Sequence, residues 1–175
     1  EIDLIAPFIE ALKCENVKNS YRLILYGNTI SNEKWNQLGL SEIAEYRGWL
    51  DYSKDVSTLK DIDVFLQLLD DNNVSKAGWP NKLGDYLAFG KPVILSPYGD
   101  IIDFVKNEKG FFIVEYNKYS ILKILQEIKD IPYSDLKTMG YANRQLAEKI
   151  SWKNRAKNIE YICNKIRFNN ETVKN

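Results

Sequence analysis

Short apolar runs rich in Ile, Leu, Val and Phe recur along this chain, and each is followed by a stretch whose apolar residues fall at helical spacing. This alternation constrains the fold more than any other feature. Strands buried on both faces read as continuous apolar runs, and they need helices to cover those faces. The pattern predicts strands at Arg22 to Tyr26, Ile43 to Arg47, Val64 to Leu68, Pro92 to Leu95 and Phe111 to Val114. Helices are expected at Ile2 to Cys14, Asn32 to Leu38, Ser53 to Asp61, Asn81 to Phe89, Ile101 to Lys106 and Tyr119 to Ile128, with a long helical tail from Tyr133 to about Arg167. The fold class is α/β, a doubly wound parallel sheet of five or six strands with helices on both faces, expected in the order 3-2-1-4-5-6.

Glycines punctuate these elements. Gly27 ends the first strand, Gly90 stands where a C-terminal cap belongs, and Gly110 precedes the fifth strand. In the tail, Ser151 before Trp152 suggests a fresh N-cap, so two helices meeting at an angle are expected. The amphipathic pattern of Leu146, Ile150, Ile159, Ile162 and Ile166 either packs on the sheet or carries the second helix toward a partner domain.

Composition narrows the chemistry. At 175 residues and 45% hydrophobic content, residues 1–175 suit one domain. Basic and acidic residues balance at 24 each, so no global field draws the protein to nucleic acid or an anionic surface. His is absent and Cys14 and Cys163 are the only cysteines, which excludes common zinc sites and His-dependent triads within this chain. Both thiols are expected to be reduced packing residues of a cytoplasmic protein. No run of about eighteen apolar residues and no secretory signal occurs. The chain opens without an initiator Met, and a longer protein is expected around it. The excess of Lys over Arg hints at a microbial source.

The most informative stretch is Ala77 to Ser96, AGWPNKLGDYLAFGKPVILS. Pro80 suits the first helical position, so the free amides of Asn81, Lys82 and Leu83 should face the preceding loop. A helix N-terminus carries about half a positive charge and favours phosphate. Lys82 adds a full charge where a cation is locally unfavourable, and a bound anion would offset that. Asp85, three residues on, shares the face of Lys82 and could accept two hydroxyl hydrogen bonds from a ribose. The alternative is an ordinary surface pair worth a few tenths of a kcal/mol. Leu83, Tyr86 and Leu87 form the stripe that docks this helix, and its N-terminus then falls at the carboxyl edge of the sheet, where such folds bind ligands.

Taken in order, YRLILYGN, EYRGWL, DIDVFLQLL, WPNKLGDYLAFGKPVILSPYGDIIDFV, KGFFIVEYN and SWKNRAKNIEYI resemble the C-terminal, donor-binding domain of the group 1 (family 4) retaining glycosyltransferases. These have the GT-B architecture of two Rossmann-like domains facing a cleft. The resemblance covers nearly the whole chain and is sharpest over Pro80 to Ser96. It implies that Lys82 contacts the diphosphate and serves catalysis, that Asp85 holds the ribose, and that Trp49 and Leu50, beside Gly48, receive the nucleobase. It places Gly27 and Asn28 at a glycine turn facing the donor, with Gly78, Pro80, Asn81 and Leu83 around the phosphates. Tyr98, Gly99 and Asp100 resemble the turn opening the next helix, without an assigned ligand contact.

Two departures stand out. The Glu that contacts the donor sugar in many members falls eight residues before the ribose acid, and Ala77 occupies that position here. The Arg and Lys that usually clamp the diphosphate would lie before Glu1, as would the acceptor-binding domain. The resemblance therefore implies a nucleotide diphosphate sugar as donor, the protein's own N-terminal domain as partner, no metal or other cofactor, and no turnover by this chain alone. It fits bacterial polysaccharide or glycoconjugate synthesis in the cytoplasm, and peripheral contact with the inner membrane face is compatible with it. Two alternatives stay open: a nonenzymatic Rossmann-like interaction module, binding through the loop DDNNVSKAGW or the tail, and a sugar-nucleotide epimerase or phosphorylase of the same architecture.

Overall fold

A computed structural model of the protein describes residues 2–51 and 54–172. All five expected strands form, each trimmed to three residues: β1 (Leu23–Leu25), β2 (Ala44–Tyr46), β3 (Phe65–Gln67), β4 (Val93–Leu95) and β5 (Phe111–Ile113). Every pairing is parallel. The helices are α1 (Ala6–Leu12), α2 (Asn32–Gln37), α3 (Asn73–Ala77), α4 (Asn81–Ala88), α5 (Ile101–Val105), α6 (Lys118–Asp130), α7 (Tyr133–Lys149) and α8 (Trp152–Thr172). A 3-10 turn at Ile2–Ile5 leads into α1, and a second covers Val56–Asp61, where a helix from Ser53 was expected; Ser53 lies outside the described residues.

The strands alternate sides as the two-residue period requires. On one face Leu23, Leu68, Ile94, Phe112 and Val114 meet Phe8 and Ile9 of α1 and Ile121, Leu125 and Ile128 of α6. On the other, Phe65, Val93 and Leu95 meet Leu83 and Leu87 of α4, Ile101 and Val105 of α5, and Leu146 of α7. The central strand β4 is buried at all three positions, which explains its unbroken apolar reading. Helices thus cover both faces.

The pairing is less complete than expected. The sheet is divided into β1-β2 and β3-β4-β5. Parallel strands send alternate backbone groups to opposite neighbours. Along β1, Leu23 donates to Ile43 and Leu25 accepts from Arg47, both toward β2; along β3, Phe65 donates to Pro92 and Gln67 accepts from Ser96, both toward β4. Ile24 and Leu66 therefore turn their backbone groups to the remaining edges. The pairs formed are those of 3-2-1-4-5-6 if the five strands hold positions two to six, with no described strand at position one.

The tail breaks where the sequence suggested, and the amide of Asn154 donates to Ser151 Oγ at 3.4 Å. Its halves have different fates. Leu146 of α7 enters the core, whereas Trp152, Ile159, Tyr161, Ile162 and Ile166 of α8 are all exposed. Cys163 is exposed with them, so the expectation of two packing cysteines holds only for Cys14, which is half-buried against the core. Beyond the break at Ser151, the apolar stripe of α8 is left uncovered among the described residues. Among the described residues no helix is long and apolar enough to cross a membrane.

Candidate functional site

The direction of the chain puts α4 where it can meet a ligand. The polypeptide leaves β3 at the carboxyl edge, forms α3, begins α4 on that edge, and returns through Gly90 to Pro92 directly into β4. Gly90 has φ +65°, the left-handed conformation that ends a helix without the Cβ penalty. At the other end Pro80, with φ −70°, is the N-cap and Asn81 the first helical residue. Pro80 offers no side-chain oxygen, so the first turn of α4 has no side-chain cap and no acidic residue. By contrast, Ser31, Asn72 and Asn117 cap α2, α3 and α6 through their side chains.

Of the first-turn amides, that of Leu83 donates to Pro80 O at 3.0 Å, and the Leu83 side chain is fully buried. Leu83 therefore serves the helix and the core. Among the described residues the amides of Asn81 and Lys82 have no hydrogen-bond partner, and the exposed Lys82 side chain is in no ion pair. Asp85 is exposed one turn farther along. An uncapped N-terminus with an ammonium group at its second position is electrostatically suited to a polyanion.

The glycine turns after β1 and β2 are joined to each other. The amide of Gly27 donates to Gly48 O at 2.9 Å, and Tyr46 Oη donates to Gly27 O at 2.8 Å. Both glycines have positive φ, +134° and +77°, and a Cβ at either would meet nothing within 4 Å, so the turns border open space. Leu50 packs on the same apolar cluster as Leu83, which brings the second turn toward α4. Asn28 and Trp49 are exposed, Trp49 at 73%, and neither makes a hydrogen bond or ring contact with α4 among the described residues.

The segment expected to be a loop before Pro80 contains the helix α3. Asn72 Oδ1 accepts from the Ser75 amide at 2.8 Å, and an Asn followed three residues later by Ser was the available signal. Asp70 accepts from Asn72 Nδ2 at 2.7 Å and Ser75 Oγ at 2.8 Å, and the hydrogen bond from Ser75, aided by that from Asn72, lowers its pKa. Asp71 pairs with Lys76. Ala77 ends this helix and Gly78 follows it, exposed, with φ −106°. The segment rests on the turn after β4: a Cβ at Gly99 would lie 3.0 Å from Ser75 O.

A network that the sequence reading did not single out completes the edge. Arg47 Nε donates to Glu45 Oε1 at 2.8 Å and Nη1 to Tyr26 Oη at 3.4 Å, while Tyr26 Oη donates to Thr58 Oγ1 at 3.0 Å. The hydrogen bond from Arg47 lowers the Glu45 pKa, and that bond together with Tyr26 raises the Arg47 pKa. Tyr26 and Arg47 each immediately precede a turn glycine, which was the only local hint. Among the described residues no group of three or more His, Cys, Asp or Glu side chains could hold a metal ion.

The family described as glycosyl transferases group 1 matches residues 5–146. No curated protein matches the sequence. Among solved structures, sucrose-phosphate synthase from Thermosynechococcus elongatus is similar with a TM-score of 0.70 at 16% identity, over 93% of this chain and 42% of its own. HepE from Anabaena, in complex with UDP, is similar with a TM-score of 0.61 at 16% identity, over 82% of this chain and 40% of its own. The complex of HepE with UDP-glucose is similar with a TM-score of 0.62 at 14% identity over the same shares. At these identities the likeness establishes the fold, and the chain spans about two fifths of the length of these proteins.

Proposed function

The chain belongs to the group 1 glycosyl transferases, and from that membership we propose that it is the donor-binding domain of a retaining transferase, holding a nucleotide diphosphate sugar at the carboxyl edge of its sheet. The observation that carries the proposal is the N-terminus of α4, which has no side-chain cap and bears Lys82, in no ion pair among the described residues. That HepE binds UDP and UDP-glucose on the same fold supports a nucleotide diphosphate sugar as the donor.

In this reading the amides of Asn81 and Lys82 and the Lys82 ammonium take the diphosphate, Asp85 takes the ribose hydroxyls, and the turn Gly48 to Leu50 receives the base. Gly27 and Asn28 border the donor across the cleft, while Gly78 and Pro80 shape the approach to the phosphates. During transfer the bond from the sugar carbon to the diphosphate breaks, one to an acceptor hydroxyl oxygen forms, and the hydroxyl proton passes to an oxygen of the leaving diphosphate. Negative charge then grows on the diphosphate. Fixed dipoles and an ammonium already aimed there stabilise it without reorganisation.

The donor sugar is a hexose in this proposal, and the acceptor sits on a separate domain of a longer protein. This chain alone then binds donor without transferring it. The reading needs no cofactor beyond the donor and places the reaction in the cytoplasm. Isothermal titration with UDP and GDP tests the proposal: micromolar to millimolar binding of either is expected, and no binding of both defeats it.

A further inference from the structure

We propose that α7 is a positioning element for the donor helix, acting through Gly140, Asn143 and Arg144 on the far end of α4; this rests on the donor reading above. These three residues lie on one face of α7, at spacings of three and four. Each engages the segment from Ala88 to Lys91, where α4 ends and the chain turns into β4. Arg144 Nη1 donates to Ala88 O at 2.6 Å, supplying from another helix a cationic partner for a terminal carbonyl. Asn143, fully buried, donates through Nδ2 to Lys91 O at 2.8 Å and to Gly110 O at 2.9 Å. Gly140 lets the backbones meet, because a Cβ there would lie 2.1 Å from Gly90 O.

The mechanical consequence follows from the size of α4. It has eight residues, and Lys82 is six residues from Ala88, about 9 Å along the axis. Leu83 and Leu87, with Tyr86 stacked on Phe65 and Phe89 tilted against the same ring, hold one face of the helix by apolar contacts, which are non-directional and leave it some freedom to shift along its axis. The clamp at Ala88 and Gly90 removes that freedom. A short rigid helix then carries any shift at its C-terminal end to its N-terminal end, where Lys82 and the two open amides stand.

Gly140→Ala cannot be accommodated in place. Real Cβ contacts essentially never fall under 3.0 Å, so α7 and the Gly90 turn must separate by roughly 0.9 Å. A displacement of about 1 Å at a binding group is enough to cost one to two orders of magnitude in function. Arg144→Gln is the gentler variant, since the side chain is half-exposed and its loss does not open the core.

The experiment titrates the parent, Gly140→Ala, Arg144→Gln and Arg144→Lys with UDP and GDP, and records each melting temperature without nucleotide. The expected result is at least tenfold weaker binding for Gly140→Ala and severalfold weaker binding for Arg144→Gln, with partial recovery in Arg144→Lys, all at temperatures where the variants are fully folded. A purely stabilising role would lower the melting temperatures and leave the dissociation constants of the folded proteins alone. That outcome overturns the positioning role while sparing the donor reading. If Gly140→Ala does not fold, the two Arg144 variants decide by the same criterion. Failure of the parent to bind either nucleotide overturns the donor reading and the positioning role with it.

Discussion

Removing the Lys82 ammonium should have opposite effects on stability and on binding. The residue is the second of α4, exposed, in a first turn with no acidic residue. Without ligand it stands at the positive end of the dipole, so Lys82→Ala should raise stability by about 0.3 to 1 kcal/mol. For a domain of this length that is roughly 1 to 4 °C in melting temperature. In the proposed donor complex the same side chain would make a charge-assisted hydrogen bond worth about 1.5 to 3 kcal/mol. Its loss should weaken UDP or GDP binding by roughly 10- to 150-fold, toward the lower figure at physiological salt because the group is exposed. Lys82→Arg should keep most of the affinity. Calorimetric titration and thermal denaturation of the two variants measure both signs. Unchanged affinity in Lys82→Ala removes the residue from the site, and a fall in stability alongside lost binding shows that it supports the fold instead.

Three further outcomes are expected. Asp85→Asn should cut the preference for UDP over an analogue lacking the ribose hydroxyls by roughly tenfold, the difference between charged and neutral acceptors, with an unchanged circular dichroism spectrum. Asn143→Ala should destabilise by about 1 to 3 kcal/mol in urea denaturation, because Lys91 O and Gly110 O lose a buried donor; the cost is limited because the variant also removes the buried, unpartnered Asn143 Oδ1. Tyr21 donates to Leu125 O, and burial, with a smaller contribution from Asp130, pushes its phenol up to about 12 from 10.0. The folded state holds this proton more tightly than the unfolded one. Its stabilisation is therefore complete below about pH 10 and declines as pH rises toward 12, and Tyr21→Phe should flatten that decline in denaturation measured across the range.

The elements legible in the sequence were those set by short-range chemistry. Pro80 and Gly90 bracket α4 because one cannot donate an amide and the other accepts a left-handed turn, and neither property depends on the surroundings. Ser151 marked the break between α7 and α8 for the same kind of reason, and the unbroken apolar run of β4 announced burial on both faces. Local pattern also carried Lys82 and Asp85 to the carboxyl edge, since a helix running straight into a parallel strand must begin there. The signal for α3 was present in Asn72 and Ser75 but was outweighed by a polar composition that reads as loop.

What tertiary structure decided was every relation between residues far apart in the chain. The division into β1-β2 and β3-β4-β5, the joining of the Gly27 and Gly48 turns, the Arg47 to Tyr26 network and the clamp of α7 on the Ala88 to Lys91 segment all join residues from about twenty to more than fifty positions apart. Nothing in the period or capping of one segment specifies its partner. The same holds for α8, whose stripe resembles that of α7 although α7 is half sunk in the core and α8 is exposed. A hydrophobic pattern states that a face favours burial, and only the packed chain determines what remains to cover it.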